Sequence, residues 1–400
     1  MMIKKQDGFT LVELMITMII FLLAMTAASQ MFVGLITQFK QQSKIAETNT
    51  EGVIGLELLR ADIEQAGFGL PWNMNGITYN EAANDANTPL WDDTAYNDAS
   101  NPPRGIVVGG GVGLNGSDVL VLKATNIATN TAANKWTYIT NTAAGNNIQI
   151  WGSAQEDLIA TDMVTVLSPY SLGQPRVLSV AGGNFPKATT FLTASTDVNY
   201  LPAPSSFEST LIYGIASVPN PPPLVPLTLR MPFNRADYYI RTPGAAALPA
   251  RCAPNTGILY KGVINHADGN HTELPLLDCV LDMRVVVVLD TGTGAAPLLT
   301  PFQGGALGVK IPAGSTSAQT TRDQAREIRV YIVAQEGQRD QGFTYNNPAN
   351  KVGGPVPCAA TLDDQICIND SGGVIAITVP DRNYRWKLYT LVSTPYNLKQ

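Results

Sequence analysis

Charge is missing from this chain where most chains carry it. Between Leu14 and Phe39 there is no aspartate, glutamate, lysine or arginine, and no proline stands before Pro71. The uncharged run is long enough, at ~1.5 Å per residue, to cross a ~30 Å hydrocarbon core as one helix. The missing proline removes the strongest helix breaker from everything upstream of Pro71. Histidine is scarce as well: only His266 and His271 occur, both in one segment, and there is no Gly-x-Ser-x-Gly elbow. A Ser-His-Asp hydrolase is therefore not expected. Basic residues are scattered without a stripe interleaved with aromatics, and the formal net charge is −6, so no direct nucleic acid binding is expected. No internal repeat is present.

Ahead of the apolar run stand Lys4 and Lys5, which should stay cytoplasmic and send the rest of the chain outward. Ala27-Ala28-Ser29 imitates the small-residue site of an ordinary secretory signal. More specific is Gly8-Phe9-Thr10-Leu11-Val12-Glu13 behind a short Lys-bearing leader, which resembles the processing site of type IV prepilins. That resemblance implies a membrane prepilin peptidase that cuts after Gly8, discards residues 1–8 and methylates the new amino terminus at Phe9. Loss of the leader takes the formal charge from −6 to −7, because Lys4 and Lys5 outweigh Asp7.

Glu13 needs a partner, since a carboxylate near the bilayer centre costs roughly 2.5–3.5 kcal/mol on insertion scales. The resemblance implies that it neutralises the amino group of a neighbouring subunit and so sets register, an attraction strengthened by low dielectric. The plainer reading is a glutamate that snorkels at the membrane surface, favoured by the positive end of its helix.

Beyond Lys40 the pattern turns amphipathic, with Val53, Leu56, Leu59, Ile63 and Ala66 three or four apart and charges elsewhere on the circle. Gly67-Phe68-Gly69-Leu70-Pro71 is a stop signal. One helix is thus expected over 9–66, with 9–39 in membrane or filament core, about 87 Å long at 1.5 Å per residue. Gly34, Gly52 and Gly55 are its expected bends. Residues 57–68 resemble the end of this helix in PilW-type minor pilins, and Arg329–Gly337 and Tyr384–Val392 are similar to the closing strands of that group. The resemblance covers residues 1–32, 57–68 and the C-terminal third, and none is found between about 70 and 225.

After Pro71 the composition shifts to Asn, Asp, Thr, Gly and Pro around short β-branched runs. Strands are expected at 118–124, 135–140, 147–151, 163–168, 210–217, 236–241, 257–265, 280–290, 327–335, 373–380 and 384–392, with a short helix at 317–325 capped by Ser317. Residues 73–104 read as a long irregular loop. The expected fold class is α+β, and the resemblance implies a type IV pilin-like arrangement: one long N-terminal helix, then a large, mainly antiparallel β head. The head exceeds a typical single domain, favouring two lobes or a core with a large insertion. The Pro-rich stretch 219–226 is the expected seam between a β-rich region, 67–218, and a C-terminal β region, 227–400.

The four cysteines, Cys252, Cys279, Cys358 and Cys367, fall on the oxidising side and predict disulfides. Three connectivities are open, and proximity in sequence suggests Cys252 with Cys279 and Cys358 with Cys367. The close spacing of a four-thiolate zinc site is absent. His266, Asp268 and His271 form a weak candidate metal loop, whose Asp-Gly-Asn is equally a turn between strands. Gly111-Val-Gly113-Leu-Asn-Gly116 satisfies the dinucleotide fingerprint but precedes a strand, so a β-turn is the better reading. Val288-Leu289-Asp290-Thr291-Gly292 has the letters of an aspartic protease motif but occurs once, where that chemistry needs two carboxylates.

These signals point to a structural subunit with no enzymatic activity and no cofactor: a minor pilin of a type IV pilus. The partners the resemblance implies are the prepilin peptidase, other major and minor pilins, the inner-membrane assembly platform and, before assembly, inner-membrane lipid. The alternatives are a J-like pseudopilin of a type II secretion system, or an uncleaved bitopic adhesin or receptor.

Overall fold

The computed structural model describes residues 10–84, 91–99, 101–142, 145–168, 176–181, 188–204, 208–217, 229–243, 248–292, 299–303, 308–309, 318–346, 363–370 and 373–398. A single helix, α1 (Leu11–Gln65), opens the chain. Thr10 caps it in extended conformation. At the far end Gly67 takes φ +85°, a left-handed value that costs glycine nothing. Its N–H then donates to the Lys123 carbonyl at 2.9 Å.

The first half of α1 exposes its apolar side chains all round, from Leu11 to Phe39. The second half docks on the head through Thr48, Gly52, Gly55, Leu59, Asp62, Ile63 and Ala66, a stripe at helical spacing. Two expectations change here. The helix is unbroken through Gly34, Gly52 and Gly55, and two of these glycines serve close approach. A Cβ on Gly55 would lie 2.5 Å from the Leu276 carbonyl oxygen, and one on Gly52 would lie 3.1 Å from the Tyr389 hydroxyl. Because the backbone docks through glycine, the buried stripe runs one position away from Val53. That residue is 57% exposed, and Ile54 is 68% exposed.

The strands are β1 (Ile106–Gly110), β2 (Val119–Ala124), β3 (Trp136–Thr142), β4 (Gly145–Ile148), β5 (Asp162–Leu167), β6 (Thr189–Thr190), β7 (Ser209–Ser217), β8 (Asn234–Arg241), β9 (Gly257–Ile264) and β10 (His271–Asp290). They continue with β11 (Leu299–Gln303), β12 (Gly308–Val309), β13 (Ala325–Glu336), β14 (Gln365–Asp370), β15 (Gly373–Thr378) and β16 (Arg385–Ser393). The described residues also contain short helices α2 (Phe191–Thr196) and α3 (Ala318–Gln324) and two 3-10 turns, at Asp93–Tyr96 and Leu114–Gly116.

Nine strands form the main sheet in the order β12-β1-β2-β8-β9-β10-β13-β16, with β11 also on β10. Five form a second sheet, β4-β3-β7-β5-β6, and β14 with β15 makes a hairpin. All these pairings are antiparallel. The architecture is therefore α+β, a long N-terminal helix followed by antiparallel sheets.

Alternation along the main sheet explains its two covers. Val285, Val287 and Leu289 face the core beneath α1 with Leu59 and Ile63. Val286 and Val288 face the opposite way, onto Ile366, Ile368 and Ile377 of the β14–β15 hairpin. Burial on both faces is why this stretch of β10 reads as an unbroken valine run rather than an alternating one. At the other end, the segment expected as an irregular loop folds over the far face, burying Trp91 and Tyr96 against Val107, Val121 and Tyr239.

The expected boundary at 219–226 does not follow the sheets. β2 precedes it and β8 follows it, yet Leu120 pairs with Tyr238 and Leu122 with Ala236. The inserted unit is the second sheet, drawn from 136–217 between β2 and β8. Residues 219–226 themselves lie outside the described residues. β10 begins at His271 rather than Val280, and Pro275 is accommodated at a register shift against β9. The strand expected at 147–151 occupies Gly145–Ile148 instead. No expected strand falls on β1, β6, β11, β12 or β14. The short helix forms at α3, and its expected cap, Ser317, is outside the described residues.

Candidate functional site

The amino-terminal end of α1 is the first site. Gly8 and Phe9 lie outside the described residues. Glu13 Oε2 accepts hydrogen bonds from the Thr10 N–H at 3.0 Å and the Thr10 hydroxyl at 2.9 Å. The Thr10 oxygen in turn accepts from the Glu13 N–H at 3.3 Å. This is a capping box that satisfies orphan donors of the first turn and sets a carboxylate at the positive pole of the helix. Around it every large apolar side chain is exposed, so within one subunit this end of the rod is unfinished. Leu11–Gln65 is the helix long and apolar enough to cross a membrane among the described residues.

The second site fixes the rod to the head. Asp62 is 6% exposed and lies 2.5 Å from Lys261 Nζ, and the Tyr238 hydroxyl donates to it. Burial raises the Asp62 carboxyl, against the pull of Lys261 and Tyr238. Thr48, Asn49 and Glu64 add polar contacts to Gly337, Lys387 and Ser393.

The third is a buried ionic cluster between the main sheet and the 73–104 segment. Lys123 on β2 and Arg235 on β8 are cross-strand neighbours, and both are fully buried. Lys123 Nζ lies 2.7 Å from Glu81 and 2.6 Å from Asp98, and Asp98 also pairs with Arg104 at 2.5 Å. Arg235 grips Asp237 with Nε at 2.8 Å and Nη2 at 2.7 Å, and reaches Glu81 at 3.3 Å. His271 on β10 lies with Nε2 3.1 Å from Asp237 and Nδ1 3.8 Å from Asp93. Gly262 makes the room, since a Cβ there would lie 2.6 Å from the His271 ring and 2.9 Å from that of Tyr239.

Burial works against charge throughout this cluster. Even so, the Arg235 charge and its hydrogen bonds, with that of His271, hold the Asp237 carboxyl far below the usual range. Lys123 and Arg104 lower Asp98 in the same way. The His271 hydrogen bond to Asp237 and the charges of Asp237 and Asp93 outweigh burial and raise His271. Glu81, Asp93, Asp98 and Asp237 thus face Arg104, Lys123, Arg235 and His271.

The metal loop expected from the sequence does not assemble. His266 turns to Asn234 at 3.1 Å and burial drops its pKa to about 4, Asp268 accepts from Asn270 within its own turn, and His271 joins the ionic cluster. Asp93, Asp237 and His271 do bring ligand atoms within 4.8 Å of one another, but the Arg235 guanidinium already supplies the positive charge there. The signal in the sequence was Lys123 within Val-Leu-Val-Leu-Lys-Ala and Arg235 with Asp237 two apart on one strand face.

Cys252 and Cys279 form a disulfide with Cα atoms 5.0 Å apart. Cys367 is also disulfide-bonded, and Cys358 lies outside the described residues. The Gly111–Gly116 motif connects β1 to β2, and its Gly111 N–H donates to Asp118. Asp290 pairs with Arg326 at 3.2 Å and accepts from the Gly292 N–H, a strand-end arrangement.

Residues 3–29 match the family model of the prokaryotic N-terminal methylation motif. No curated protein matches the chain. Among solved structures, a type IV-like pilin from Thermus thermophilus is similar at 13% identity, covering 42% of this chain and 67% of that one with a TM-score of 0.25, a likeness too low to carry an argument. The chain therefore carries a prokaryotic N-terminal methylation motif at the head of a long apolar helix, joined to an antiparallel β head.

Proposed function

We propose that this chain is a minor pilin of a type IV pilus, cut after Gly8 and N-methylated at Phe9 by a prepilin peptidase. The observation that carries this reading is the methylation motif over residues 3–29, continuous with a helix whose first half is apolar and exposed on every side. Such a surface is stable only in lipid or among other helices. In this reading the precursor sits in the inner membrane with its head outside the cytoplasm. It then enters or primes a filament on the assembly platform, alongside major and other minor pilins.

Glu13, which caps its own helix in the single subunit, turns in the filament to the charged amino terminus of an adjacent subunit. Two opposite charges in a dry helix bundle attract far more strongly than in water. The size of the head is the reason for a minor role, because a bulky head strains a dense helical array. The head is a structural and contact element rather than a catalyst, which the pairing of Asp290 with Arg326 supports.

Filament incorporation tests this. In the native host, Glu13→Ala is expected to leave the protein processed and in the membrane but depleted from sheared filaments. Equal incorporation of Glu13→Ala would overturn the register role. Recovery only in secretion-system complexes would favour the pseudopilin, and an unprocessed protein in the membrane the bitopic receptor.

A further inference from the structure

One corner of the buried ionic cluster brings an amine and two carboxylates to a single point away from water. Lys123 is 0% exposed, Glu81 1% and Asp98 7%. Lys123 Nζ donates to Asp98 Oδ2 at 2.6 Å and to the Tyr96 carbonyl at 2.9 Å, and the Phe233 ring lies beside it with its centroid at 5.9 Å. Glu81 Oε2 lies 2.7 Å from the same nitrogen. The other Glu81 oxygen, Oε1, accepts the Asp98 N–H at 2.7 Å, so amine, acid and second carboxylate are fixed to one another. Arg104 Nε meets Asp98 at Oδ1, 2.5 Å away, the oxygen that Lys123 does not hold. These are the parts of an amide-forming site: a nucleophile, a carboxyl, a base within reach of the nucleophile, and a cation on the oxygen where charge would gather.

We propose that Lys123 Nζ and Asp98 Cγ join in an intramolecular amide, with Glu81 as the general base. Glu81 takes one proton from the ammonium, and the freed lone pair attacks Cγ to form the C–N bond. Negative charge gathers on Oδ1, where the Arg104 guanidinium meets it. The C–Oδ2 bond then breaks, and Oδ2 leaves as water with the proton returned by Glu81 and a second one from the nitrogen. Ammonium and carboxylate thus become one amide and one water, with no oxidant, reductant or further reactant. Held contact of this kind can supply effective molarities of ~10⁵–10⁸ M, and a buried site keeps water from reversing the step. The reaction also removes two charges that are costly to keep out of water, without changing the net charge of the cluster. The product closes a loop of sequence separation 25 and ties the 73–104 segment, which has no regular strand among its described residues, to β2. Lys261 lies as near to Asp62, at 2.5 Å, but has the Tyr238 hydroxyl beside that carboxylate where Lys123 has Glu81, and it is expected to stay unlinked.

The test reads the mass of the full-length chain, folded and purified in detergent, then reduced and denatured. An amide survives both treatments, so the parent chain is expected to be lighter by one water than its sequence and amino terminus account for. Digestion should yield a branched peptide with two amino termini, whose fragments place the junction at Asp98 and Lys123. Lys123→Met, which has no amine, should show neither. Glu81→Gln keeps the acceptor for the Asp98 N–H but removes the base, and its linked fraction should fall by about tenfold or more while circular dichroism shows a folded head. Should that variant not fold, Glu81→Asp, with the carboxylate drawn back by one methylene, is read in its place and is expected to link more slowly. A folded parent chain of full mass, with no branched peptide, overturns the proposal whatever the variants do. Linkage as complete in the Glu81 variant as in the parent, or a second junction at Lys261 and Asp62, overturns the role of Glu81.

Discussion

Replacing each of two neighbouring glycines of α1 by alanine should have different consequences. Within a helix, Gly→Ala is worth about 1 kcal/mol of added stability from propensity alone. At Gly52 the new methyl meets the Tyr389 hydroxyl at 3.1 Å and Leu277 Cδ1 at 3.5 Å, the ends of side chains that can give by tenths of an ångström. Gly52→Ala should therefore be neutral or stabilising by up to about 1 kcal/mol. At Gly55 the methyl meets the Leu276 carbonyl oxygen at 2.5 Å and its carbon at 3.0 Å. These are backbone atoms of β10, at the register shift between Pro275 and Leu277, both of which pair with β9. Overpacking of this kind costs ~1–3 kcal/mol; set against the propensity gain of about 1 kcal/mol, Gly55→Ala should lose up to about 2 kcal/mol. At about 2–4 °C per kcal/mol for domains of 150–250 residues, and less for a longer chain, that is a fall of a few degrees in Tm at most. Thermal unfolding of the full chain in micelles, followed by near-ultraviolet circular dichroism, measures both. If Gly55→Ala gained as much as Gly52→Ala, the glycines would be flexible points and not docking contacts, and the account of how the rod meets the head would fail.

Three further outcomes are expected. Arg235→Met leaves Glu81 and Asp237 buried without their guanidinium, a loss of about 3–5 kcal/mol that urea titration would register as a lower midpoint at unchanged slope. Cys252→Ser with Cys279→Ser releases a loop of sequence separation 27, worth about 3–4 kcal/mol in the chain-entropy picture, and should show in the same titration. The pH response should split between two buried groups. His266, pushed from 6.5 to about 4, supports the fold above pH 6.5 and withdraws about 3 kcal/mol as pH falls to 4. Asp282, raised from 3.8 to about 6 chiefly by burial, acts oppositely, contributing below pH 4 and losing about 3 kcal/mol as pH rises through 6. The two nearly cancel in the parent chain. Stability measured from pH 4 to 6.5 should thus rise on acidification in His266→Gln and fall in Asp282→Asn relative to the parent, and identical profiles in all three would contradict this reading.

What the sequence revealed, and what it hid, follows from the range of the interactions involved. α1 was legible because its signals are local: an uncharged run, a Thr10-x-x-Glu13 cap and a glycine followed by proline. β2, β7, β8 and β9 were legible within a residue or two because β-branched runs end at turn residues. β1 was hidden by its own glycines, and β14 by having only half of an alternating pattern in Gln365–Asp370. The docking role of Gly55 was invisible because a glycine looks the same whether it bends a helix or admits a strand. The ionic cluster was hidden most deeply. Arg235 and Glu81 are 154 positions apart, and the antiparallel pairing of β2 with β8, under a segment with no regular strand among its described residues, brings them together. His266 and His271, five positions apart in sequence, are drawn apart for the same reason: each answers to its own neighbours across the sheet.

The central claim rests on the amino terminus, and the mass and sequence of that terminus test it most directly. The protein purified from the native host should begin at Phe9 with a methylated amino group, and Gly8→Ala should leave the leader attached. A protein that begins at Met1 in the wild-type host, or is cut after Ser29, would contradict the account.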